Sequence, residues 1–491
     1  MQDLKSRTIR GGAAKIFSSL ANFAFRLGSG AILSRLLEPR DFGLVGMVTA
    51  IVGVLNLFKD FGLSTAAVQC GDITEEQQSS LFWVNLVVGG ILSSIALGTA
   101  PIVSTFYHEP RLVPITAVLA LSFLVNAAGV QHWVRLQRQL QFTLMAKIES
   151  TAQVLSVAVG IGMAMKGYGY WALVAMTVTS PIILTSCLWL ASGWVPGRPS
   201  KSDGIVQMLR FGGTVTVSGL VGYIAFNFDK ILLGRYCGAG ALGIYGRAYQ
   251  LVSIPSDHLS SAVGSVAESV LSRLQNVPDR QRSYFVKCYS LIIGVTLPLT
   301  ILFSLYADEI VSVILGPHWH KSAVAFRLFA PSVLMMSLIV PLSWLLFSMG
   351  KVRRCLNLAL ILAVLMITGY IIALPYGPNG VAFSYSAVLS VWVLPHIALS
   401  VRGTVVSFRD TLEVLKAPLV SGIVATPAAV IVLAVTRNDF APSLRLVVGT
   451  AAFTAIYVQM LIGPMGQRKF YIEVIEELRG SRSRADVVKV S

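Results

Sequence analysis

Polar side chains recur at helical spacing inside long apolar stretches of this chain. Asn22, Arg26 and Ser29 stand at i, i+4 and i+7 of the first stretch, one polar stripe on an apolar cylinder. Tyr223, Asn227 and Lys230 repeat that spacing in a later stretch, with Asp229 beside them. Asn56, Lys59 and Asp60 share a face of the second stretch. Arg247, Gln250, Asp257, Ser261, Gly264 and Glu268 fall within about 100° of one another on another, which Pro255 is expected to bend. Arg327 stands in a further one.

A charge at mid-membrane costs about 2.5–3.5 kcal/mol on insertion scales, so each of these groups needs a reason. One reason is local. Lys59 can neutralise Asp60, Asp229 can neutralise Lys230, and Arg35, Arg235 and Glu268 lie near segment ends, where snorkelling is cheap. The other reason is a ligand. Arg26 and Arg247 have no acidic neighbour in sequence, so the excess charge is positive, and guanidinium forks match phosphate oxygens. On this reading Arg26, Lys59, Lys230, Arg247 and Arg327 hold an anionic group, and Asn22, Asn56, Asn227 and Gln250 line the same polar cleft. Asp60, Asp229 or Asp257 then carries a coupling proton or cation, because a buried carboxylate can titrate near neutral pH.

The elements that must position these groups follow from composition. Of 491 residues, 55% are hydrophobic and 13% charged. A soluble domain carries about 25% charged residues, so too few are present to cover a water-facing surface. The bilayer is the solvent. Scanning for stretches of roughly 20 apolar residues gives about fourteen candidate transmembrane helices, from 13–34 through 443–463, joined by short loops. The expected fold is an all-α integral membrane protein. Asn22 and Arg26 interrupt the first stretch, which argues against a cleaved signal peptide.

An internal repeat organises the helices. Arg10, Gly12, Ser18, Leu20, Leu33, Arg35, Gly43, Gly46 and Val52 reappear without a gap as Arg210, Gly212, Ser218, Leu220, Leu233, Arg235, Gly243, Gly246 and Val252. A linker with Gly193, Pro196, Gly197, Pro199 and Gly204 separates the copies. This divides the chain into an N-terminal lobe of six helices (1–200), a C-terminal lobe of six (201–402), and two extra helices with a tail (403–491). Parallel repeats of this kind place a transport site between lobes.

The net charge of +16 does not point to nucleic acid. With the N-terminus in the cytoplasm, loops on that side hold Arg135, Arg138, Arg198, Lys201, Arg273, Arg280, Arg282, Lys351, Arg353 and Arg354, whereas opposite loops offer chiefly Arg40, Arg111, Lys166, Lys321 and Arg437. That bias puts both termini in the cytoplasm, with anionic lipid headgroups as partners. Catalytic and metal motifs fail in turn. His108-Glu109-Pro110-Arg111 lacks the second His of a zinc protease, and His318-x-His320 lies in a loop. No phosphate-binding Gly-rich loop ending in Gly-Lys-Ser/Thr exists, the five cysteines are scattered, and no Ser/His/Asp or Cys/His set is present.

Ser34-Arg35-Leu36-Leu37-Glu38-Pro39-Arg40-Asp41-Phe42-Gly43-Leu44, then Asp60-Phe61-Gly62-Leu63-Ser64 and Gln69, resemble the polysaccharide transporters, or Wzx-type oligosaccharide flippases. These form part of the multidrug/oligosaccharidyl-lipid/polysaccharide (MOP) exporter superfamily, whose fold is MATE-like. Asp229-Lys230-Ile231-Leu232-Leu233-Gly234-Arg235 and Leu242-Gly243-Ile244-Tyr245-Gly246-Arg247-Ala248 are similar to that family's second-lobe signature. The likeness covers nearly the whole chain and is nearest to exporters of colanic-acid or succinoglycan-type repeat units. It implies a transporter in the bacterial inner membrane, not an enzyme. Its cargo would be an undecaprenyl-pyrophosphate-linked repeat unit, moved by alternating access for exopolysaccharide or O-antigen synthesis. The resemblance further implies cationic cavity residues, here Arg26, Arg247 and Arg327, no bound cofactor, and an H+ or Na+ gradient as the energy source. A polysaccharide polymerase and a chain-length regulator would be its partners. Two other readings stand beside this one. A drug/cation antiporter of the same superfamily would want an acidic, aromatic cavity, and a membrane glycosyltransferase would want a sizeable catalytic loop.

Overall fold

The computed structural model describes residues 24–58, 74–199, 205–436, 440–468 and 471–472. Asn22, Lys59 and Asp60 lie outside them, as does the expected amphipathic piece 470–479 apart from Tyr471 and Ile472. Among the described residues every regular element is helical. The helices are α1 (residues 24–36), α2 (Pro39–Asn56), α3 (Glu75–Tyr107), α4 (Leu112–Arg138), α5 (Phe142–Met165) and α6 (Tyr170–Ser192). There follow α7 (Ile205–Arg273), α8 (Pro278–Leu305), the short α9 (Ala307–Ile314) and α10 (His320–Ser348). The last are α11 (Val352–Ala373), α12 (Gly377–Val401), α13 (Phe408–Thr436) and α14 (Pro442–Ile462). Among the described residues nine stretches are long and apolar enough to cross a membrane, one of which, Val352–Val401, runs through both α11 and α12. The chain is an all-α multi-pass membrane protein.

The run α7 holds two helices, as the apolar spans 210–233 and 242–269 lead one to expect, and they part inside the expected interval, at Gly238, where φ is 80° and ψ 175°. Without a Cβ, glycine adopts that backbone freely, so a single residue turns the chain. The helix starts follow ordinary capping chemistry. Thr74 and Gln77 exchange bonds: the Thr74 hydroxyl accepts from the Gln77 N–H at 3.2 Å, and the Gln77 side chain accepts from the Thr74 N–H at 3.1 Å. Pro39 opens α2, where its missing N–H costs nothing, and Asp41 accepts from the Glu38 N–H at 3.0 Å.

Packing groups the chain into two compact units. The first comprises Arg26–Arg247 with Leu362–Val381. In it α3, α4, α5 and α6 pack closely, and small residues set the spacing. A Cβ on Gly89 would lie 2.5 Å from the Ala127 Cβ and 3.0 Å from the Phe123 carbonyl oxygen. Outward faces are apolar, as Val87 (60% exposed) and Ile102 (66%) on α3 illustrate, which suits contact with lipid tails. The residues after α6 fold back onto α3: Trp83 donates to the Gly197 carbonyl at 2.9 Å, and the Gly197 N–H donates to Ser79 at 3.0 Å. Trp194 thereby joins Phe82, His132 and Trp189 in an aromatic cluster. The stretch expected to be a linker is anchored at its start.

The second unit comprises Met1–Phe25, Ala248–Ile361 and Ala382–Ser491. Here α13 and α14, the two helices beyond the repeat, pack with α8 and α9. Tyr306 donates to the Ala429 carbonyl at 2.8 Å, and Tyr457 to the Gly294 carbonyl at 2.9 Å. Arg445 meets Glu309 at 3.4 Å, and Arg282 grips Asp410 through two nitrogens at 2.5 and 2.9 Å. Gly89 gives a direct test of the close helix spacing in the first unit. Gly89→Val should destabilise the purified protein by about 1–3 kcal/mol, read as a lower melting temperature in detergent. Gly90→Ala, whose Cβ would meet nothing within 4 Å, should leave that temperature unchanged.

Candidate functional site

A group of polar side chains inside the first unit gathers around the Gly238 turn. The turn folds α7 back far enough for the Tyr245 hydroxyl to donate to an Asp229 carboxylate oxygen at 2.5 Å. Asp229 is 1% exposed, and its Oδ1 has no hydrogen-bond partner among the described residues. Next to it in sequence, Lys230 donates to the Asn227 side-chain oxygen at 2.7 Å, and Asn227 donates to the Tyr223 carbonyl at 2.9 Å. The Tyr223 hydroxyl in turn reaches the carbonyls of Thr49 and Ala50 on α2, at 3.2 and 3.1 Å. The stripe Tyr223, Asn227, Lys230 is thus one connected chain of contacts that ends on α2.

Arg247 lies on the far side of the turn and is 9% exposed. Its guanidinium stacks on the Phe42 ring of α2, 3.8 Å from the centroid. A desolvated cation–π contact is worth about 2 kcal/mol or more, the same order as the cost of placing a charge at membrane depth. Stacking engages the flat face of the guanidinium, whereas its N–H donors lie in the plane and point along it. A Cβ on Gly30 of α1 would sit 3.6 Å from an Arg247 nitrogen, so α1 closes another side. Arg26 is exposed and stands one turn from Gly30 on α1, on the same helix face.

The expected site residues therefore separate. Asn227, Asp229, Lys230 and Arg247 share one neighbourhood, with Arg26 a turn away on α1. Asn56 is exposed at the end of α2. Gln250 and Asp257 belong to the second unit and are exposed. Arg327 also belongs to the second unit, where its guanidinium binds Asp308 at 2.6 Å and the Ser304 carbonyl at 3.1 Å. Asn22, Lys59 and Asp60 fall outside the described residues. Periodicity found the polar members but missed their partners. Tyr245 and Phe42 fall on none of the polar stripes, and only the fold shows that one meets Asp229 and the other Arg247.

Comparison with known proteins gives the same architecture. The model of a family described as "Polysaccharide biosynthesis protein" matches residues 32–324. The succinoglycan biosynthesis transport protein ExoT of Rhizobium meliloti (strain 1021) is 23% identical over 482 residues, covering 96% of this chain and 95% of that one. The lipopolysaccharide biosynthesis protein WzxC of Escherichia coli (strain K12) is 22% identical, covering 71% of each. The teichuronic acid biosynthesis protein TuaB of Bacillus subtilis (strain 168) is 29% identical, over 60% of this chain and 61% of its own length. Among solved structures, the lipid II flippase MurJ in an inward closed conformation superposes with a TM-score of 0.75 at 14% identity, over 93% of this chain and all of that one. An inward-facing MATE family transporter of the MOP superfamily superposes at 0.60 and 15% identity, over 77% and 96%. Identities this low establish the shared fold alone. The matched region exceeds half the chain: the protein belongs to the polysaccharide biosynthesis protein family and is a membrane transporter, not an enzyme.

Proposed function

We propose that this protein moves an undecaprenyl-pyrophosphate-linked oligosaccharide from the cytoplasmic to the periplasmic leaflet of a bacterial inner membrane, for polymerisation into exopolysaccharide or O-antigen. The observation that carries the reading is Arg247, a buried guanidinium held by its face on Phe42 inside a transporter of this family. Guanidinium groups match phosphate oxygens in charge and in geometry. Lys230, before the Gly238 break, adds a second cation in the same unit, and Asn227 and Tyr223 supply neutral polar groups suited to sugar hydroxyls. The polyprenyl tail stays in lipid, because burying it elsewhere would gain nothing over the acyl chains already there. Both termini face the cytoplasm, and two six-helix lobes, 1–200 and 201–402, alternate access to the site.

Moving a charged head group against its leaflet gradient needs an energy source, and an H+ or Na+ gradient is the one this reading assigns. Asp229 is the coupling residue in this scheme: it is buried, is held by one phenol, and has a second oxygen on which a proton or cation can sit. Polymerase and chain-length regulator act on the delivered repeat unit and are the expected neighbours in the membrane.

Complementation of a deletion strain tests the cargo. Arg247→Ala should cut surface polysaccharide by at least about tenfold at normal protein level, the effect of losing a charge-assisted hydrogen bond of about 1.5–3 kcal/mol. Arg247→Lys, which keeps the charge but not the fork, should fall between that variant and wild type. Wild-type export from Arg247→Ala removes the site. Normal polysaccharide in the deletion strain, together with heightened sensitivity to a panel of cationic drugs, would replace the cargo with that of a multidrug antiporter.

The coupling assignment has its own test in membrane vesicles loaded with the lipid-linked substrate. Asp229→Asn should abolish movement driven by an imposed pH or Na+ gradient while downhill movement continues. The exposed Asp257, changed to Asn, should behave as wild type. Equal gradient response in both variants would discard Asp229 as the coupling group.

A further inference from the structure

Two helices of the first unit change character along one face, and they do so in the same way. On α5, Ser156, Gly160 and Ala164 are buried and form the inward side of the helix. Gly160 faces α6, where its Cβ would meet the Met176 Cβ at 3.2 Å, and Ala164 clusters with Leu33 and Leu37 of α1. Glu149 precedes Ser156 by seven residues and Gly160 by eleven, and Gln153 stands in the same relation to Gly160 and Ala164. At about 100° per residue, steps of that size return to within about 20° of the same direction. Glu149 and Gln153 therefore point where the buried residues point, yet Glu149 is exposed and Gln153 only half-buried. The lipid-facing side of α5 lies elsewhere. Its exposed Val154 and Leu155 are about 120–140° away from Glu149.

On α1, Leu33 and Leu37 follow Arg26 by the same seven and eleven residues. Both leucines are buried in the cluster with Ala164, and Arg26 is exposed. As the first and fifth crossings of the membrane, α1 and α5 run in the same direction. They meet near their C-terminal ends, and their facing sides become accessible toward their N-terminal ends. The result is a crevice with Arg26 on one wall and Glu149 and Gln153 on the other.

The two walls suit different chemical groups. Among the described residues no donor meets the Glu149 carboxylate, which stands about 10 Å along α5 from Phe142. A bare carboxylate at that depth is costly unless water or a ligand covers it. A carboxylate accepts hydrogen bonds, and a side-chain amide both donates and accepts. One turn apart on one wall, the pair matches neighbouring sugar hydroxyls, which donate and accept in turn. A phosphate offers negative acceptors alone, so Glu149 repels it and Arg26 attracts it.

We infer that Glu149 and Gln153 hold hydroxyls of the sugar next to the pyrophosphate, with the phosphate taken by Arg26 across the same crevice. The inference rests on the transport reading above and adds to it the residues that read the glycan.

Two lipids separate the sugar from the phosphate: undecaprenyl pyrophosphate, and the lipid-linked oligosaccharide extracted from a strain lacking the transporter. Native mass spectrometry of the purified full-length protein measures the affinity for each. Wild type should hold the oligosaccharide lipid more tightly than the bare one. Glu149→Gln should weaken the oligosaccharide lipid at least about tenfold, equivalent to about 1.4 kcal/mol, and shift the bare lipid by less than about twofold. Gln153→Ala should show the same pattern with a smaller loss, and it decides alone if Glu149→Gln has a lowered melting temperature. Arg26→Ala should weaken both lipids. Equal weakening of both by Glu149→Gln, or of neither, overturns the sugar subsite. Wild type that binds both lipids alike also overturns it and leaves the cargo reading standing, whereas wild type that binds neither removes the cargo reading and the subsite together. The crevice has a separate check in open membrane fragments, with the five natural cysteines replaced by serine. Gln153→Cys should react with a charged thiol reagent at least about tenfold faster than Leu155→Cys, because the reacting thiolate needs water. Equal labelling of the two positions overturns the crevice.

Discussion

Lipid supplies no hydrogen bonds, and this fixes what every polar group inside the bundle can do. Many serines and threonines on the described helices settle the demand locally by donating to a carbonyl three or four residues back, as Ser79, Ser80, Ser94 and Thr105 do. Where helices pack, side chains satisfy their neighbours' backbone: Thr185 donates to the Val125 carbonyl and Trp189 to the Ala128 carbonyl, both from α6 to α4. These bonds do structural work and carry no charge. Groups that do carry charge are the ones from which function has to be read.

The kind of partner separates them. Arg445 with Glu309, Arg282 with Asp410 and Arg327 with Asp308 are opposite charges in contact. Each pair is electrically closed, and breaking it to bind cargo would leave a bare carboxylate behind. Asp229 and Arg247 are held differently, the first by a phenol and the second on an aromatic ring. A phenol fixes a carboxylate's position, and a ring fixes a guanidinium's plane. Arg327 was a reasonable sequence candidate on the same footing as Arg247. Its partner sits on α9, a helix of eight residues too short to register as a membrane span.

What was legible in the sequence follows from this physics. Low charge and long apolar runs identified an all-α membrane bundle, because no other solvent accommodates such a surface. The offset repeat located both glycines of the close backbone contact, Gly43 and Gly243. The break inside α7 was legible as the gap between two apolar spans, but not its economy: Gly238 alone carries it, and the surrounding residues keep helical dihedrals up to it. Periodicity correctly placed Tyr223, Asn227 and Lys230 on one face, and the structure links them side by side. It could not say that α2 would present Phe42 to Arg247, because periodicity gives a helix its faces without saying which helix each face meets.

The repeat and the site are connected by a geometric limit on what two copies of one segment can build. A contact between repeat-related segments is reciprocal, so whatever one copy presents to the other it also receives. If the segments met through large side chains, both would have to interlock in the same place, and separation would cost the full burial of each. Glycine on both copies removes that conflict. Backbone then meets backbone at 39–43 and 239–243, and the side chains that differ between the copies are free to specialise beside it. Position 42 is Phe in the first copy and its counterpart 242 is Leu, while Arg247 has Met47 as its counterpart. The asymmetry that makes an aromatic seat on one copy and a cation on the other therefore sits at the edge of a symmetric contact. A symmetric pair of residues at those positions could give two rings or two cations, and neither arrangement could hold a guanidinium by its face. Divergence of the repeat at 42/242 and 47/247, with retention of glycine at 43/243, is what sets one ring and one guanidinium beside a symmetric backbone contact.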